Sequence, residues 1–252
     1  MMLRSLCVSA LLALSAAAAE PAKLVFMIGE DEYHTWETLP EFAQKDLKPL
    51  GYRTVIIIPD ATDKHRFPGL VEALLDADLL FVSVRRRTPL AEELAAIRAH
   101  LAAGKPLIGI RTASHAFALR SKDKLTDPKL ASWQEFDPEV LGGHYTNHHK
   151  EGPKTVVSVA PNAAKHPILA GIDTGKLVGN GSLYKVNPLV TGTSPLLLGT
   201  IPEQPSEALA WTNVFGPNRA KVFYTSLGHP DDFQEPEFRA LLRNAIAWAL
   251  GK

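Results

Sequence analysis

The sequence predicts an α/β protein whose central sheet is mostly parallel. Segments with strand and helix character alternate through residues 23–110, and the strand segments are apolar at nearly every position rather than at every second one. Such strands are typical of a sheet that is covered by helices on both faces. An amphipathic segment near the carboxyl end supplies a further covering helix.

Each expected strand is a short apolar or β-branched run that stops at glycine, proline or a polar turn. These runs are 23–28, 54–58, 78–84, 106–110, 155–159, 196–198, 208–211 and 222–225. Helices are expected where apolar residues recur three or four positions apart, at 36–50, 68–75, 89–103 and 235–250. No linker or repeat divides the chain, so we expect one domain over residues 20–252.

The first 19 residues have the pattern of a signal peptide. Arg4 precedes an apolar stretch over 6–16, and Ala17, Ala18 and Ala19 offer small residues for cleavage. The apolar stretch is shorter than the ~20 residues that a membrane-spanning helix needs. We therefore expect an exported protein, periplasmic or secreted, that has no membrane contact after cleavage.

Cysteine content and charge exclude several classes of function. Cys7 is the single cysteine and lies within the expected signal peptide, so the mature chain has no disulfide, thiolate metal site or cysteine nucleophile. Lysine plus arginine equal aspartate plus glutamate, 27 against 27, which gives no electrostatic footprint for nucleic acid. The basic run 85–87 is either a solvated turn or faces an anionic ligand. Composition leaves the oligomeric state open.

A histidine and a carboxylate follow the last expected strand. The run 222–225 ends at a turn with Gly228, and His229, Pro230 and Asp231 come next. Loops at the carboxyl ends of strands line the ligand crevice in open α/β sheets. We expect His229 to act as a general acid or base, with Asp231 fixing the tautomer of its imidazole. The alternative is a histidine that only completes the end of the strand.

A second candidate segment, residues 142–150, is rich in histidine. The histidines expected to converge at the strand ends are His115, His144, His148, His149 and His229. Three interpretations stay open, namely a divalent-metal site, a metal-free polar pocket for sugar hydroxyls, or histidines that only bind loop backbone. Carboxylates that would complete a metal site are Glu30, Asp31, Asp231 and Asp232. The spacing matches no zinc signature, so no metal ligand is assigned and the cofactor is unknown.

The expected strand at 106–110 runs into a tight turn, Gly109-Ile110-Arg111, followed by His115. With His229-Pro230-Asp231, this resembles the class I glutamine amidotransferase-like superfamily, in which a cysteine closes the strand and a His-Pro-Glu comes late. Arg111 stands where the resemblance places the cysteine, so glutaminase chemistry by cysteine is excluded. Arg111 is either an ion-pair partner or a guanidinium that binds a carboxylate or another oxygen-rich ligand.

Six short motifs, in order along the chain, resemble the ThuA-like or trehalose-utilisation branch of that superfamily. They are Gly29-Glu30-Asp31 with His34, Gly109-Ile110-Arg111 with His115, Gly142-Gly143-His144, His166-Pro167-Ile168 with Gly171-Ile172, Leu183-Tyr184, and residues 225–230. The resemblance implies a flavodoxin-like three-layer α/β/α sandwich and a link to carbohydrate metabolism.

The first hypothesis is therefore an exported ThuA-like protein that binds or transforms a sugar or sugar derivative, of the trehalose or keto-sugar type. Its substrate-binding candidates are Arg111, His115, His144, His148, Glu30 and Asp31. The alternatives are a non-catalytic carbohydrate-binding or interaction module, and a metal-dependent hydrolase that uses the histidine-rich loop. Whether the protein is an enzyme stays open at this point.

Overall fold

The computed structural model of the protein describes residues 20–120, 122–125 and 127–252. The expected signal peptide, residues 1–19, lies outside the described residues. Within the described ranges, no helix is both long enough and apolar enough to cross a membrane.

The strands are short, and most of them join one sheet. In chain order they are β1 (Lys23–Gly29), β2 (Arg53–Ile57), β3 (Leu79–Val84), β4 (Leu107–Ile110), β5 (Asn147–His148), β6 (Thr155–Val159), β7 (Val178–Gly179), β8 (Tyr184–Lys185), β9 (Ser194–Thr200), β10 (Glu207–Phe215) and β11 (Ala220–Thr225). In the described part of the chain, nine strands form a sheet in the order β2-β1-β3-β4-β11-β10-β9-β6-β7. Strands β5 and β8 form a separate pair.

The strands of the first half of the chain, together with β11, form the parallel part of the large sheet. Strand β1 pairs in parallel with β2 and β3, and β4 pairs in parallel with β3 and β11. From β11 to the β7 edge the neighbouring strands are antiparallel. The predicted α/β fold is confirmed, and the antiparallel extension comes from the later, turn-rich part of the chain.

Helices cover both faces of this sheet. They are α1 (Thr35–Phe42), α2 (Leu70–Leu75), α3 (Ala91–Ala102) and α4 (Pro236–Ala249). One apolar cluster joins Phe26 of β1 to residues of α1 and α4, and a second joins Val25 of β1 to residues of α2 and α3. Because neighbouring residues of a strand point to opposite faces, the two clusters form the two halves of a three-layer sandwich.

The segment predicted as one helix, 36–50, is helical throughout but changes its winding. Helix α1 is followed by a π-helical turn at Ala43–Leu47 and a 3-10 turn at Lys48–Leu50. Pro40 and Pro49 lie in this stretch and have no backbone N–H, so regular α-helical bonding cannot run through it.

Two smaller differences from the sequence prediction have local causes. The helix predicted at 68–75 begins at Leu70, because Gly69 adopts a left-handed conformation with φ of 81°. Strands β5, β7 and β8 were not predicted, since each has two residues and leaves no periodic pattern.

Candidate functional site

A cleft of about 550 Å³ lies where the parallel strands end. The loops that follow β1, β3, β4 and β11 contribute to it, together with the segments around β5 and β8. In the sheet, β1 lies between β2 and β3, so the connections that leave β1 and lead to β3 run to opposite sides of it. The crevice at such a topological switch point is a typical ligand site of α/β proteins. The cleft is lined by Glu32, Tyr33, Arg85, Arg111, His115, Tyr145, His148, Glu151, Gly152, Asn180, Gly181, Ser182, Tyr184 and His229.

Arg111 comes directly after β4 and is 3% exposed. Its backbone has a φ of 44°, in the left-handed region that residues with a side chain seldom adopt. The Tyr224 hydroxyl donates to the Arg111 carbonyl oxygen at 2.6 Å, which holds this turn in place. The Arg111 side chain therefore leaves the strand end sharply and reaches the cleft.

Four hydrogen bonds hold the Arg111 guanidinium. Its Nη1 donates to the carbonyl oxygens of Ser182 and Ser226 at 2.9 and 2.8 Å. Its Nη2 donates to Ser182 Oγ at 3.1 Å and to Tyr33 Oη at 3.2 Å. The guanidinium carbon lies 4.6 Å from the Tyr33 ring centre and 4.3 Å from that of Tyr184, so the charge sits between two aromatic rings.

Asp232 ties the turn after β11 to the loop that carries Ser182. Its Oδ2 accepts the backbone N–H groups of Gly228 and His229, at 2.8 and 3.0 Å. Its Oδ1 accepts both the backbone N–H and the side-chain amide of Asn180, each at 2.9 Å. Because Asp232 is almost completely buried and makes four such contacts, it fixes the relative positions of two walls of the cleft.

The imidazole of His229 is oriented by the backbone. Its Nδ1 accepts the backbone N–H of Asp231 at 3.2 Å. Since a backbone N–H only donates, Nδ1 carries no hydrogen, and the neutral ring carries it on Nε2. The side chain of Asp231 is 71% exposed and its carboxylate lies 3.7 Å from Nδ1. The backbone of Asp231, and not the predicted carboxylate, therefore sets the tautomer.

The imidazole of His148 has the opposite tautomer. Its Nδ1 lies 2.8 Å from the carbonyl oxygen of His149. A carbonyl only accepts, so Nδ1 carries the hydrogen and Nε2 keeps a free lone pair. The cleft is thus lined by one histidine that can accept at Nε2 and by another, His229, that donates from Nε2.

His115 supplies a neutral, buried imidazole to the same cleft. Its ring stacks on Tyr145 with centres 4.6 Å apart, and its Nδ1 lies 3.1 Å from Ser114 Oγ. Burial, followed by the positive charges of Arg86 and Arg85, lowers the pKa of His115 well below its usual 6.5. The ring is therefore uncharged at neutral pH.

Comparison with known proteins gives the family. A model of the ThuA family, described as trehalose utilisation, matches residues 37–249. The chain belongs to the ThuA family. The predicted resemblance is thereby confirmed, and a sugar-related role follows from it at the level of the family. A search of curated proteins gives no match.

Solved structures support the same fold. A putative ThuA-like protein from Bacteroides uniformis is 17% identical, with a TM-score of 0.65 and coverage of 94% of each chain. One from Parabacteroides merdae is 14% identical, with a TM-score of 0.61 and coverage of 92% of this chain and 91% of that one. A β-galactosidase from Rahnella sp. R3 is 13% identical, with a TM-score of 0.60, and aligns to 91% of this chain through 31% of its own.

In this ThuA-family protein, half of the predicted site residues line the cleft. Those that do are Arg111, His115, His148 and His229. Those that do not are Glu30, Asp31, His144 and Asp231. His144 is exposed although it belongs to the same histidine-rich segment as His148.

The carboxylates after β1 organise the loop instead of lining the cleft. Glu30 is buried and accepts the backbone N–H groups of Glu32, Tyr33 and Thr35 at 2.6 to 2.8 Å. It therefore folds the loop that places Tyr33 in the cleft. Asp31 forms ion pairs with Lys64 and Arg87.

The basic run after β3 divides between two environments. Arg85 lines the cleft and pairs with Glu32 at 2.7 Å, whereas Arg87 pairs with Asp31. The histidines and carboxylates do not form a metal ligand set: within the described ranges, no three His, Cys, Asp or Glu side chains are grouped so that they could hold a metal ion.

Several residues that shape the cleft were not recognised from the sequence. Tyr33 and Ser182 lie in loops with no periodic or motif signal for a site. The sequence predicts Asp232 only as a possible metal ligand and gives the orienting role to its neighbour Asp231. Two adjacent aspartates after a His-Pro are a signal for one structural carboxylate, but the sequence does not tell which of them is buried.

Proposed function

We propose that this ThuA-family protein binds a sugar or sugar derivative in the cleft and transfers a proton on it, without a covalent nucleophile. The observation that carries the proposal is the pair of opposite tautomers at His148 and His229, which line the same cleft. A proton acceptor and a fixed hydrogen-bond donor around one cavity are the groups that proton transfer requires.

The size and chemistry of the cleft suit a carbohydrate. A volume of about 550 Å³ falls within the range of small-molecule sites. The rings of Tyr33, Tyr145 and Tyr184 supply apolar surface for the C–H faces of a sugar, and Asn180 and Ser182 supply polar partners for its hydroxyls. The trehalose-utilisation description of the family supports the same ligand class.

His148 is the proton acceptor in this proposal. Its Nδ1–H bond to the His149 carbonyl orients the ring and stays intact when Nε2 takes a proton. The side chain is also exposed, so a proton taken from the ligand can exchange with water.

His229 is a hydrogen-bond donor to a ligand oxygen. The backbone N–H of Asp231 occupies Nδ1, so Nε2 carries the hydrogen of the neutral ring and is the nitrogen that can donate to a ligand. A neutral imidazole is a poor proton source and a good hydrogen-bond donor. The acid–base role expected for His229 is therefore assigned to His148, and His229 polarises the ligand.

Thermal unfolding in the presence of candidate ligands tests the proposal. The panel contains trehalose, 3-keto-sugars and simple glycosides, and a ligand that binds only the folded protein raises the midpoint. We expect at least one member to raise it for the natural protein and for His166→Ala, but not for His229→Ala. His166 is a suitable control because its Nδ1 also accepts a backbone N–H, from Ile168, outside the cleft. A panel with no effect on the natural protein would contradict the proposal.

A non-catalytic carbohydrate-binding module is the second candidate. It is favoured by Arg111, which occupies the position where the wider superfamily carries its nucleophile and whose Nη1 and Nη2 each donate two hydrogen bonds within the protein. A sugar that raises the midpoint but exchanges none of its carbon-bound hydrogens with solvent would support this candidate over the first.

Export is a further part of the proposal, and it is based on the sequence of residues 1–19. We expect the mature protein to begin near Glu20 and to be recovered from the periplasm or the medium. Amino-terminal sequencing of the fractionated protein tests this, and a chain that keeps residues 1–19 in the cytoplasm would contradict it.

A further inference from the structure

Arg111 determines which way two hydroxyl groups in the cleft can donate. Its Nη2 lies 3.2 Å from Tyr33 Oη and 3.1 Å from Ser182 Oγ. A guanidinium has N–H donors and no atom that accepts a hydrogen bond, so the two hydroxyl oxygens must accept hydrogen bonds from it. Each hydroxyl then keeps its own hydrogen for a different partner.

Among the described residues, Arg111 is the only hydrogen-bond partner of the Tyr33 hydroxyl and of the Ser182 hydroxyl. Tyr33 and Ser182 both line the cleft, and their oxygens are bound to the same nitrogen. The two O–H groups are therefore neighbouring donors that are available to one ligand group. Asp232 and Glu30 hold the loops that carry them, so their positions are fixed before a ligand arrives.

The charge behind these donors is buried and has no acidic partner. Arg111 takes part in none of the ion pairs between described residues, whereas Arg85 pairs with Glu32. Glu151 also lines the cleft but is exposed to solvent. A buried cation that contacts carbonyl oxygens, hydroxyl oxygens and aromatic rings, and no carboxylate, favours negative charge on the group that the two hydroxyls bind.

We propose that Tyr33 and Ser182 form an oxyanion site for a carbonyl oxygen of the sugar derivative, with Arg111 as the residue that positions and polarises them. This rests on the proposed function, because the oxygen becomes negative only when His148 takes a proton. The substrate class is then a sugar with a carbonyl group next to the carbon that loses its hydrogen.

The proton transfer balances without a further reactant. His148 Nε2 takes the proton from the carbon beside the carbonyl and becomes an imidazolium. The electron pair of the broken C–H bond forms a carbon–carbon double bond, and the carbonyl π pair moves to the oxygen. Tyr33 and Ser182 stabilise the resulting oxyanion. The imidazolium returns the proton to the former carbonyl carbon, and the hydroxyl hydrogen of the deprotonated carbon passes to the former carbonyl oxygen, so the product is the isomer in which the carbonyl group has moved to the neighbouring carbon.

Calorimetric binding of two matched probes tests the oxyanion site. The hydroxamate group of D-threonohydroxamate is planar and ionises to an anion with the shape of an enediolate, while D-threonamide has the same carbon chain, lacks the nitrogen-bound oxygen and stays neutral. We expect the hydroxamate to bind at least about tenfold more tightly than the amide. Tyr33→Phe or Ser182→Ala should each lower this preference about tenfold, because each removes one hydrogen bond to a charged group. Tyr52→Phe and Ser158→Ala, outside the cleft, should keep the full preference.

The outcomes separate this inference from the proposed function. If a sugar of the panel binds but the hydroxamate has no advantage over the amide, the oxyanion site is wrong and the sugar site stands. If Tyr33→Phe and Ser182→Ala weaken both probes equally, the two residues have a structural role and the inference fails. If neither the probes nor any sugar binds, the proposed function itself fails.

Discussion

His229 and Asp231 are joined through the backbone, with the N–H of Asp231 donating to Nδ1 of His229 at 3.2 Å. The side chain of Asp231 is largely exposed, whereas the neighbouring Asp232 is buried and accepts the backbone N–H groups of Gly228 and His229. The two adjacent aspartates thus have different tasks. One supplies a backbone donor, and the other holds the turn that presents the histidine.

Changing these two aspartates should therefore have unequal effects. Asp231→Ala keeps the backbone bond and should change the free energy of unfolding by less than about 0.5 kcal/mol, as expected for an exposed side chain. Asp232→Asn places an amide N–H donor against backbone N–H donors and should lower the free energy of unfolding by about 2–3 kcal/mol. Urea unfolding of both variants measures the difference, and equal losses would show that the assignment of the two side chains is incorrect.

Gly181 allows its loop to pass over the Arg111 guanidinium. A Cβ at this position would lie 2.6 Å from Nη2 and 2.8 Å from Cζ of Arg111. Gly181→Ala should displace the guanidinium, cost about 1–3 kcal/mol of stability and weaken sugar binding. Gly175→Ala is the control, because its Cβ would meet only Asp173 Oδ1 at 3.2 Å. A Gly181→Ala protein with unchanged stability and affinity would argue against the tight packing of this loop.

Asp137 should make the protein less stable as the pH rises. Burial raises the pKa of Asp137 to about 7, although the Tyr145 N–H donates to its Oδ2 at 2.7 Å. The folded protein holds this proton more tightly than the unfolded chain, so its stabilising effect is complete below pH ~4 and is lost as the pH rises to ~7.

The variant Asp137→Asn isolates this effect, because the amide cannot ionise. Relative to the natural protein, the variant should gain on the order of 3–4 kcal/mol in unfolding free energy between about pH 4 and about pH 8. Urea unfolding at the two pH values gives the comparison. A difference between the two proteins that does not change with pH would contradict the raised pKa.

His115 should have the opposite pH dependence. Burial and the nearby arginines lower its pKa, so the unfolded chain binds a proton more readily than the folded protein. The contribution of the neutral His115 ring to the free energy of unfolding is complete above pH ~6.5 and is lost as the pH falls below that value. We expect His115→Gln to lose less stability than the natural protein between about pH 7 and about pH 5. Urea unfolding across this pH range measures the difference, and free energies of unfolding that change equally with pH in the two proteins would contradict the lowered pKa.

The sequence predicts the scaffold better than the site. Apolar runs such as 222–225 predict strands because buried strands need apolar side chains on both faces, and the location of His229 and Arg111 at strand ends follows from this. The orientation of the side chains does not follow. Whether Asp231 or Asp232 is buried depends on the Asn180 loop, which lies more than 50 residues away in the chain.

The same limit explains why Tyr33 and Ser182 were not predicted. Each becomes a cleft donor only because Arg111 leaves β4 with a φ of 44° and reaches both loops. No local pattern in the sequence records this long-range contact. The sequence places Arg111 at the turn after an expected strand, but its contacts with Tyr33, Ser182 and Ser226 involve residues that the motif does not include.

Deuterium exchange tests the central claim most directly, namely that His148 transfers a proton on a sugar bound in the cleft. The sugar that most raises the unfolding midpoint is incubated with the protein in D₂O, and loss of its carbon-bound hydrogen is followed by proton NMR. We expect the natural protein to catalyse exchange at one position, and His148→Gln to bind the sugar but exchange it at least about 100-fold more slowly. Exchange that is absent from the natural protein, or unchanged in His148→Gln, would contradict the account.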